Sequence, residues 1–202
     1  LQEYKNYSFT VEAQDSTGNL SGKSSACKVK TTDTHKPDAP VFLMAEQLSD
    51  SGFVLRWNHS HDNVAVKTYS IYLNGSKVCS QVDTTCAFDN LKSFTEYLMN
   101  VEAVDSAGNV SSKSYDLVVK TTDTQCPDAP DGLTAVSVLG DGFTVKWNKA
   151  LDNVAVESYQ VFLDGVSKKE VADTLAEITG LQPKMTYRVQ VRAVDMAGNF
   201  SH

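Results

Sequence analysis

TTDTHKPDAP at residues 31–40 returns as TTDTQCPDAP at residues 121–130, an offset of 90 residues. Three further segments keep this offset: Trp57 and Trp147, DNVAV at 62–66 and 152–156, and VEAVDSAGN at 101–109 with VRAVDMAGN at 191–199. A gapless period this long indicates a chain of whole small domains, because solenoid units are only about 20–50 residues long. Chemistry that needs one unique site is therefore disfavoured.

The 202 residues hold two near-complete copies of the repeat and part of another. We place the copies at residues 1–32, 33–122 and 123–202. The first contains only the last third of a unit, and the third lacks the stretch equivalent to 112–122, which includes its last strand. A segment as short as the first copy cannot bury a core of its own. We therefore interpret the chain as a piece of a longer array, or as a subunit whose ends are completed by neighbours.

Composition excludes two classes of partner. The net charge is −7 and the isoelectric point is near 5.0, and the sequence has no cluster of Lys and Arg. A nucleic-acid-binding surface needs such a cluster to displace counterions from phosphates, so we expect no nucleic-acid partner. No apolar run approaches the roughly 18 residues of a membrane span, so we expect no membrane insertion.

Apolar residues alternate with polar ones along most of the chain. The inward rows are Phe53, Leu55 and Trp57; Tyr69, Ile71 and Leu73; Tyr97, Met99, Val101 and Ala103; their counterparts 90 residues on; and Tyr7, Phe9, Val11 and Ala13 in the first copy. Such alternation predicts strands with one packed face and one solvated face. Asn74-Gly75 and Asp164-Gly165 predict tight hairpin turns, because Asn, Asp and Gly tolerate a positive φ. Short strands in units of this size predict an all-β, two-sheet antiparallel sandwich.

The segment from Leu181 to Tyr187 predicts a crossing between the sheets that the tyrosine hydroxyl pins by bonding back to the backbone. Together with the tryptophan of the second strand and the Tyr-x-Val-x-Val-x-Ala row, this corner resembles fibronectin type III domains. The resemblance covers essentially the whole chain and implies tandem seven-stranded antiparallel sandwiches. DNVAV with AVDSAGN is similar to the bacterial branch, whose modules lie between the catalytic and carbohydrate-binding domains of secreted polysaccharide-degrading enzymes, and in cell-surface proteins.

The cysteines have two interpretations. Cys79 and Cys86 lie close together in the second copy, whereas the third copy has Lys169 and Ala176 there, and we predict a disulfide between the two cysteines. In the chain-entropy model so short a loop contributes about 2.5 kcal/mol. Cys27 and Cys126 fall in different copies, and they are either free thiols or partners of a neighbouring molecule.

Acidic residues recur at both repeat junctions. The family geometry implies that they gather at the junction end of each domain, where their oxygens could hold calcium; the candidates are Asp33, Asp38, Asp62 and Asp105, then Asp123, Asp128, Asp152 and Asp195. The alternative is turn chemistry, in which Asp side chains cap loops. His59 and His61 could suggest zinc or copper, but the third copy has Lys149 and Leu151 there, so we expect ordinary loop residues.

Outward aromatic side chains are the remaining candidates for recognition. Tyr72 and Phe162 occupy the same repeat position out of phase with the core rows, and Tyr115 could share that face. We therefore weigh two functions. The first is a non-catalytic spacer of a secreted or cell-surface protein, without a cofactor, whose partners are flanking domains of the same polypeptide. The second is a module that binds polysaccharide or protein through these aromatics, or assembles with neighbouring copies into a surface filament.

Overall fold

The computed structural model describes all residues from Leu1 to His202 and contains fifteen strands and no helix. The strands are β1 Asn6–Phe9, β2 Cys27–Lys30, β3 Met44–Ser49, β4 Gly52–Arg56, β5 Val66–Leu73, β6 Ser76–Gln81, β7 Thr85–Phe88, β8 Glu96–Asp105, β9 Leu117–Lys120, β10 Thr134–Val138, β11 Gly142–Lys146, β12 Val156–Leu163, β13 Val166–Val171, β14 Leu175–Thr179 and β15 Val189–Asp195. No element could therefore serve as a membrane-spanning helix.

The strands form five sheets, which follow the copies of the repeat. The second copy has the orders β3-β4-β7 and β6-β5-β8-β9, and the third has β10-β11-β14 and β13-β12-β15. In the first copy, β1 pairs with β2 in antiparallel register. The all-β antiparallel prediction is confirmed. The second copy has the seven strands of a complete unit, and the third copy has six.

Two compact units divide the chain. The first consists of Leu1–Glu46, Val54–Phe88 and Tyr97–Val119, and the second of Gln47–Phe53, Asp89–Glu96 and Lys120–His202. The division thus passes through the second copy: its segments 47–53 and 89–96 belong to the same unit as the third copy.

Each of the two larger copies contains a buried tryptophan that packs edge-on against a buried tyrosine. The ring centroids are 5.4 Å apart for Trp57 and Tyr69 and 5.5 Å apart for Trp147 and Tyr159. The tyrosine hydroxyls accept hydrogen bonds from the backbone N–H groups of Ser60 and Ala150, three residues after each tryptophan, at 3.0 Å in both cases. The predicted rows therefore form the core, because alternate side chains of each strand face the opposite sheet.

The first copy departs from this pattern. Its row was predicted to face inward, but Phe9 is 45% exposed and Val11 is 72% exposed. The two strands β1 and β2 have no second sheet of their own to cover that face, so the alternation persists without burial. The sequence pattern predicted the apolar face of the strand correctly, but the prediction that this face is buried was wrong.

The hairpin turn and the corner predicted from the sequence are present in the structure. Asn74 and Gly75 both have positive φ angles, 49° and 81°, as a two-residue hairpin turn with right-handed strand twist requires. The predicted corner is also present, because the hydroxyl of Tyr187 accepts a hydrogen bond from the backbone N–H of Gln182 at 2.9 Å. The first copy repeats it between Tyr7 and Gln2 at 2.6 Å.

Candidate functional site

Three aspartates converge at the junction end of the second copy. Asp33 lies in the segment between β2 and β3, Asp62 in the loop between β4 and β5, and Asp105 at the end of β8. One carboxylate oxygen from each lies within 4.8 Å of the other two. Asp33 and Asp105 are buried, at 7% and 1% exposure, and Asp62 is half-buried. We call this group the first Asp trio.

The same arrangement recurs 90 residues later. Asp123, Asp152 and Asp195 occupy the equivalent positions, and one oxygen from each again lies within 4.8 Å of the others. Asp123 is 7% exposed and Asp195 is fully buried. This group is the second Asp trio, and each trio lies within one compact unit.

Hydrogen bonds hold one oxygen of each loop carboxylate in the first trio. Asp33 Oδ1 accepts from the backbone N–H of His35 at 3.1 Å and from Asn63 Nδ2 at 3.3 Å. Asp62 Oδ2 accepts from the backbone N–H groups of Val64 and Ala65, at 3.0 and 2.9 Å. The other oxygens, Asp33 Oδ2 and Asp62 Oδ1, are buried and have no hydrogen-bond partner.

The second trio repeats the main features of this pattern. Asp123 Oδ1 accepts from Asn153 Nδ2 at 3.0 Å, and Asp152 Oδ2 accepts from the backbone N–H of Val154 at 2.8 Å. Asp123 Oδ2 and Asp152 Oδ1 are again buried without a partner. Buried polar atoms are nearly always hydrogen-bonded, so two such oxygens at both junctions require an explanation.

The third member of each trio belongs to a tight turn. Asp105 Oδ1 accepts from the backbone N–H groups of Ala107, Gly108 and Asn109, and Oδ2 accepts from Asn109 Nδ2 at 2.7 Å. Burial opposes ionisation of Asp105, but these hydrogen bonds outweigh it and hold the pKa of Asp105 below its ordinary value. Asp195 has the same arrangement with Asn199.

The first copy contains the turn without the trio. Asp15 accepts from the backbone N–H groups of Thr17 and Asn19, and from their side chains, and these bonds hold its pKa below the ordinary value. Asp15 is exposed, and no trio includes it. The turn therefore needs its aspartate regardless of any trio, which means that turn chemistry explains Asp105 and Asp195 but not the unpartnered oxygens.

Other predicted acidic and histidine positions lie outside the trios. Asp38 and Asp128 are exposed and belong to neither group. Their backbone N–H groups donate to the carbonyl oxygens of His61 and Leu151, both at 2.9 Å, so these residues fix the chain after each junction. His59 and His61 are exposed and belong to no cluster of three possible metal ligands.

Two asparagines that the sequence analysis did not single out also support the junction. Asn109 Nδ2 donates to the backbone carbonyl of Asp33 at 3.1 Å, and Asn199 Nδ2 donates to that of Asp123 at 3.0 Å. The signal was available in the sequence, because Gly-Asn ends the turn of every copy. Distances between segments 76 residues apart could not be deduced from it.

The outward aromatics do not form an open platform. Lys113 Nζ lies 4.0 Å from the centroid of the Tyr72 ring, and the Tyr72 hydroxyl donates to Glu102 at 2.6 Å. The guanidinium carbon of Arg192 lies 5.1 Å from the centroid of the Phe162 ring. Tyr115 is 92% exposed. Stacking of a sugar needs an uncovered ring face, so recognition through Tyr72 and Phe162 stays a prediction without structural support.

The paired cysteines lie on facing sheets of the second copy. Cys79 is on β6 and Cys86 on β7, and their Sγ atoms are 3.0 Å apart as thiols. Burial, followed by the hydrogen bond with Cys86, raises the pKa of Cys79 to about 12. Cys27 and Cys126 are exposed. The disulfide between Cys79 and Cys86 stays a prediction.

Comparison with known proteins identifies the architecture. The family model described as the fibronectin type III domain matches residues 38–120 and again residues 128–201. The chain is 34% identical to chitinase A1 of Niallia circulans over 178 residues, 86% of this chain and 26% of the chitinase. It is 31% identical to exoglucanase B of Cellulomonas fimi, over 85% of this chain and 16% of the exoglucanase. It is 33% identical to exoglucanase A of the same organism, over 96% of this chain and 24% of that protein.

The chain therefore spans about a quarter or less of these relatives. The family match accounts for both large copies. The relatives' names describe whole proteins several times longer than the matching region.

Proposed function

The chain belongs to the fibronectin type III family, and we propose that it is a non-catalytic tandem module serving as a semi-rigid spacer in a larger extracellular protein. The similarity to part of a chitinase and of two exoglucanases supports this role. The proposed copies remain residues 1–32, 33–122 and 123–202. Their partners would be flanking domains of the same polypeptide.

The observation that carries the proposal is the continuity of hydrogen bonds through the second junction. Thr121 Oγ1 donates to the carbonyl of Lys92 at 2.7 Å, and the Thr122 N–H donates to that of Ser49 at 3.1 Å. The next residue, Asp123, accepts from Asn153 and Asn199 of the third copy. Successive residues are thus bound to successive copies, which leaves little freely rotating backbone between them.

Asp50 strengthens the same junction. Its carboxylate accepts from the hydroxyls of Thr122 and Thr124, at 2.6 and 2.7 Å. The hydrogen bond from Thr122, followed by those from Thr124, holds the pKa of Asp50 below its ordinary value. A short junction with bonded side chains transmits orientation better than a flexible linker does.

A catalytic function has less support. Paired carboxylates are the machinery of glycoside hydrolysis, but each must face a cleft that admits a sugar. The carboxylates of the two trios are largely buried and are duplicated in both copies. A spacer explains duplication directly, because length grows with the number of copies.

Small-angle X-ray scattering tests the spacer. The native chain should give a pair-distance distribution that one elongated particle reproduces. Asp50→Ala should broaden it, because three hydrogen bonds at the junction are lost, whereas Asp83→Ala, at an exposed position of the β6–β7 turn, should leave it unchanged. A native profile that only freely tumbling copies can fit would refute the proposal.

A further inference from the structure

We propose that each Asp trio binds one Ca²⁺ ion: Asp33, Asp62 and Asp105 at the first junction, and Asp123, Asp152 and Asp195 at the second. Binding itself is independent of the spacer role. Only the mechanical consequence, a stiffer junction, rests on the proposed function.

The unpartnered oxygens are the first argument. Asp33 Oδ2 and Asp123 Oδ2 belong to side chains of residues more than nine-tenths buried, and neither has a hydrogen-bond partner. Asp62 and Asp152 are only half-buried as residues, but their Oδ1 atoms are also buried and lack a hydrogen-bond partner. A buried carboxylate oxygen without a donor is unfavourable, and a cation held between such oxygens removes the penalty.

Geometry is the second argument. Ca²⁺ binds oxygen atoms at about 2.3–2.6 Å, so two ligands of one ion lie no farther apart than about twice that distance. The three oxygens of each trio lie within 4.8 Å of one another, so a single ion can contact all three. Equivalent residues meet this condition at both junctions, in two separate sets of loops.

Donor chemistry selects the ion. All members of both trios are carboxylates, which favour hard cations over zinc or copper. Three carboxylates bring a charge of about −3 into one buried cluster, which their mutual repulsion makes unfavourable without a cation. Ca²⁺ tolerates irregular coordination completed by water and backbone carbonyls, whereas Mg²⁺ demands near-octahedral geometry and retains its water. We therefore assign Ca²⁺.

Asp15 separates this proposal from turn chemistry. It makes the turn's hydrogen bonds in the first copy, and no group of three possible metal ligands includes it. The turn thus occurs without a trio. The trio occurs where the segment preceding a copy carries TTD and the next loop carries DN, and each trio would tie the segment between two copies to the loops of the following one.

Calorimetric titration of the chelator-treated, dialysed chain with CaCl₂ in 0.15 M NaCl tests binding. We expect two ions per chain, with dissociation constants of about 0.1–1 mM, the range of extracellular modules. Asp62→Asn and Asp152→Asn should each reduce the stoichiometry to one, and the double variant should lose at least tenfold in affinity at both sites. Each substitution keeps an oxygen for the turn's N–H groups and replaces the unpartnered one.

Asp15→Asn is a control for the turn that carries Asp105 and Asp195, because it alters the first copy's equivalent of that turn outside any trio, and it should retain two ions. Thermal unfolding gives a second readout, because the proposal and a purely structural role predict opposite shifts of the melting temperature. CaCl₂ should raise the melting temperature of the native chain, and MgCl₂ should raise it less. In chelator, Asp62→Asn and Asp152→Asn should melt above the native chain, because like-charge repulsion is relieved; a purely structural role predicts the reverse.

The two variants lie in different copies, so if one of them fails to fold, the other still tests the proposal. Absence of binding to the native chain up to about 20 mM CaCl₂ would overturn the proposal, as would two-ion binding that survives in the double variant. Scattering in chelator keeps the questions apart. If the chain scatters as one elongated particle but does not bind calcium, the spacer proposal stands and the calcium proposal is refuted. If the copies tumble freely but bind calcium, the calcium proposal stands and the spacer proposal is refuted.

Discussion

Replacement of Trp147 by Ala should unfold the third copy selectively. Trp147 is 4% exposed and packs against Tyr159 in a core cluster made only of residues from the third copy. Burial of roughly 200 Å² of aromatic surface at about 25 cal/mol per Å² gives about 5 kcal/mol. A compact denatured state lowers that value, so we expect a loss of about 3–5 kcal/mol, comparable with the whole stability of a small domain.

The indole N–H of Trp147 is buried without a partner, which makes the side chain's contribution one of packing alone. Trp147→Phe removes this unpartnered donor and retains most of the apolar contact, so it should cost markedly less than Trp147→Ala. Both variants remove the indole N–H, so the difference between them measures the loss of packed volume.

Urea unfolding measures the effect. In Trp147→Ala, the remaining Trp57 reports on the second copy by fluorescence, and circular dichroism follows the whole chain. We expect the third copy to unfold, by circular dichroism, at a urea concentration lower by about 3 M or more, or to be unfolded already in water. The unfolding midpoint reported by Trp57 fluorescence should not change. An unmoved dichroism midpoint would refute the packing argument, and so would equal losses for the Ala and Phe variants.

Two further predictions concern single positions. A methyl group on Gly142 would press against the carbonyl oxygen of Ile178 on β14, so Gly142→Ala should lower the free energy of unfolding of the third copy by about 1–3 kcal/mol, whereas Gly140→Ala, with open space around it, should not. In the reduced chain at pH 8, iodoacetamide should label the exposed Cys27 and Cys126 first, because the raised pKa of Cys79 leaves little thiolate. Rapid labelling of Cys79 would contradict this, and peptide mapping after oxidation should find Cys79 joined to Cys86.

Sequence reasoning predicted the sandwich well because its signals are local. Strand faces follow from alternation, and turns such as Asn74-Gly75 follow from backbone chemistry, so Trp57, Tyr69 and Val101 are buried as expected. It failed where burial depends on a neighbour, as at Phe9, whose strand alternates correctly but has no second sheet to cover it. Periodicity states which side of a strand is apolar and cannot state what lies opposite.

The serines after each tight turn show another limit of prediction from the sequence. Ser111 and Ser114 accept hydrogen bonds from the backbone N–H groups of Ala103 and Val101, at 2.9 and 3.0 Å, where a neighbouring strand would otherwise provide carbonyls. Their spacing recurs in the first copy as Ser21 and Ser24, which make the same bonds. The repetition is visible in the sequence, but a single serine does not indicate which backbone group it binds, so only the structure reveals this role.

The Asp trios show how repetition helps to separate a structural residue from a site. Asp15, Asp105 and Asp195 occupy one turn position in three copies, and that turn satisfies their oxygens in each. Asp33 and Asp123 each accept the backbone N–H two residues further on with one oxygen, but this turn does not account for their second oxygens, which stay buried without a donor. The residues that distinguish a trio from a turn therefore lie in the segment before each copy and in the DN loop. A further copy of this repeat should form a trio wherever TTD precedes it and DN follows its tryptophan, and a copy that lacks either should keep its turn and lose the trio.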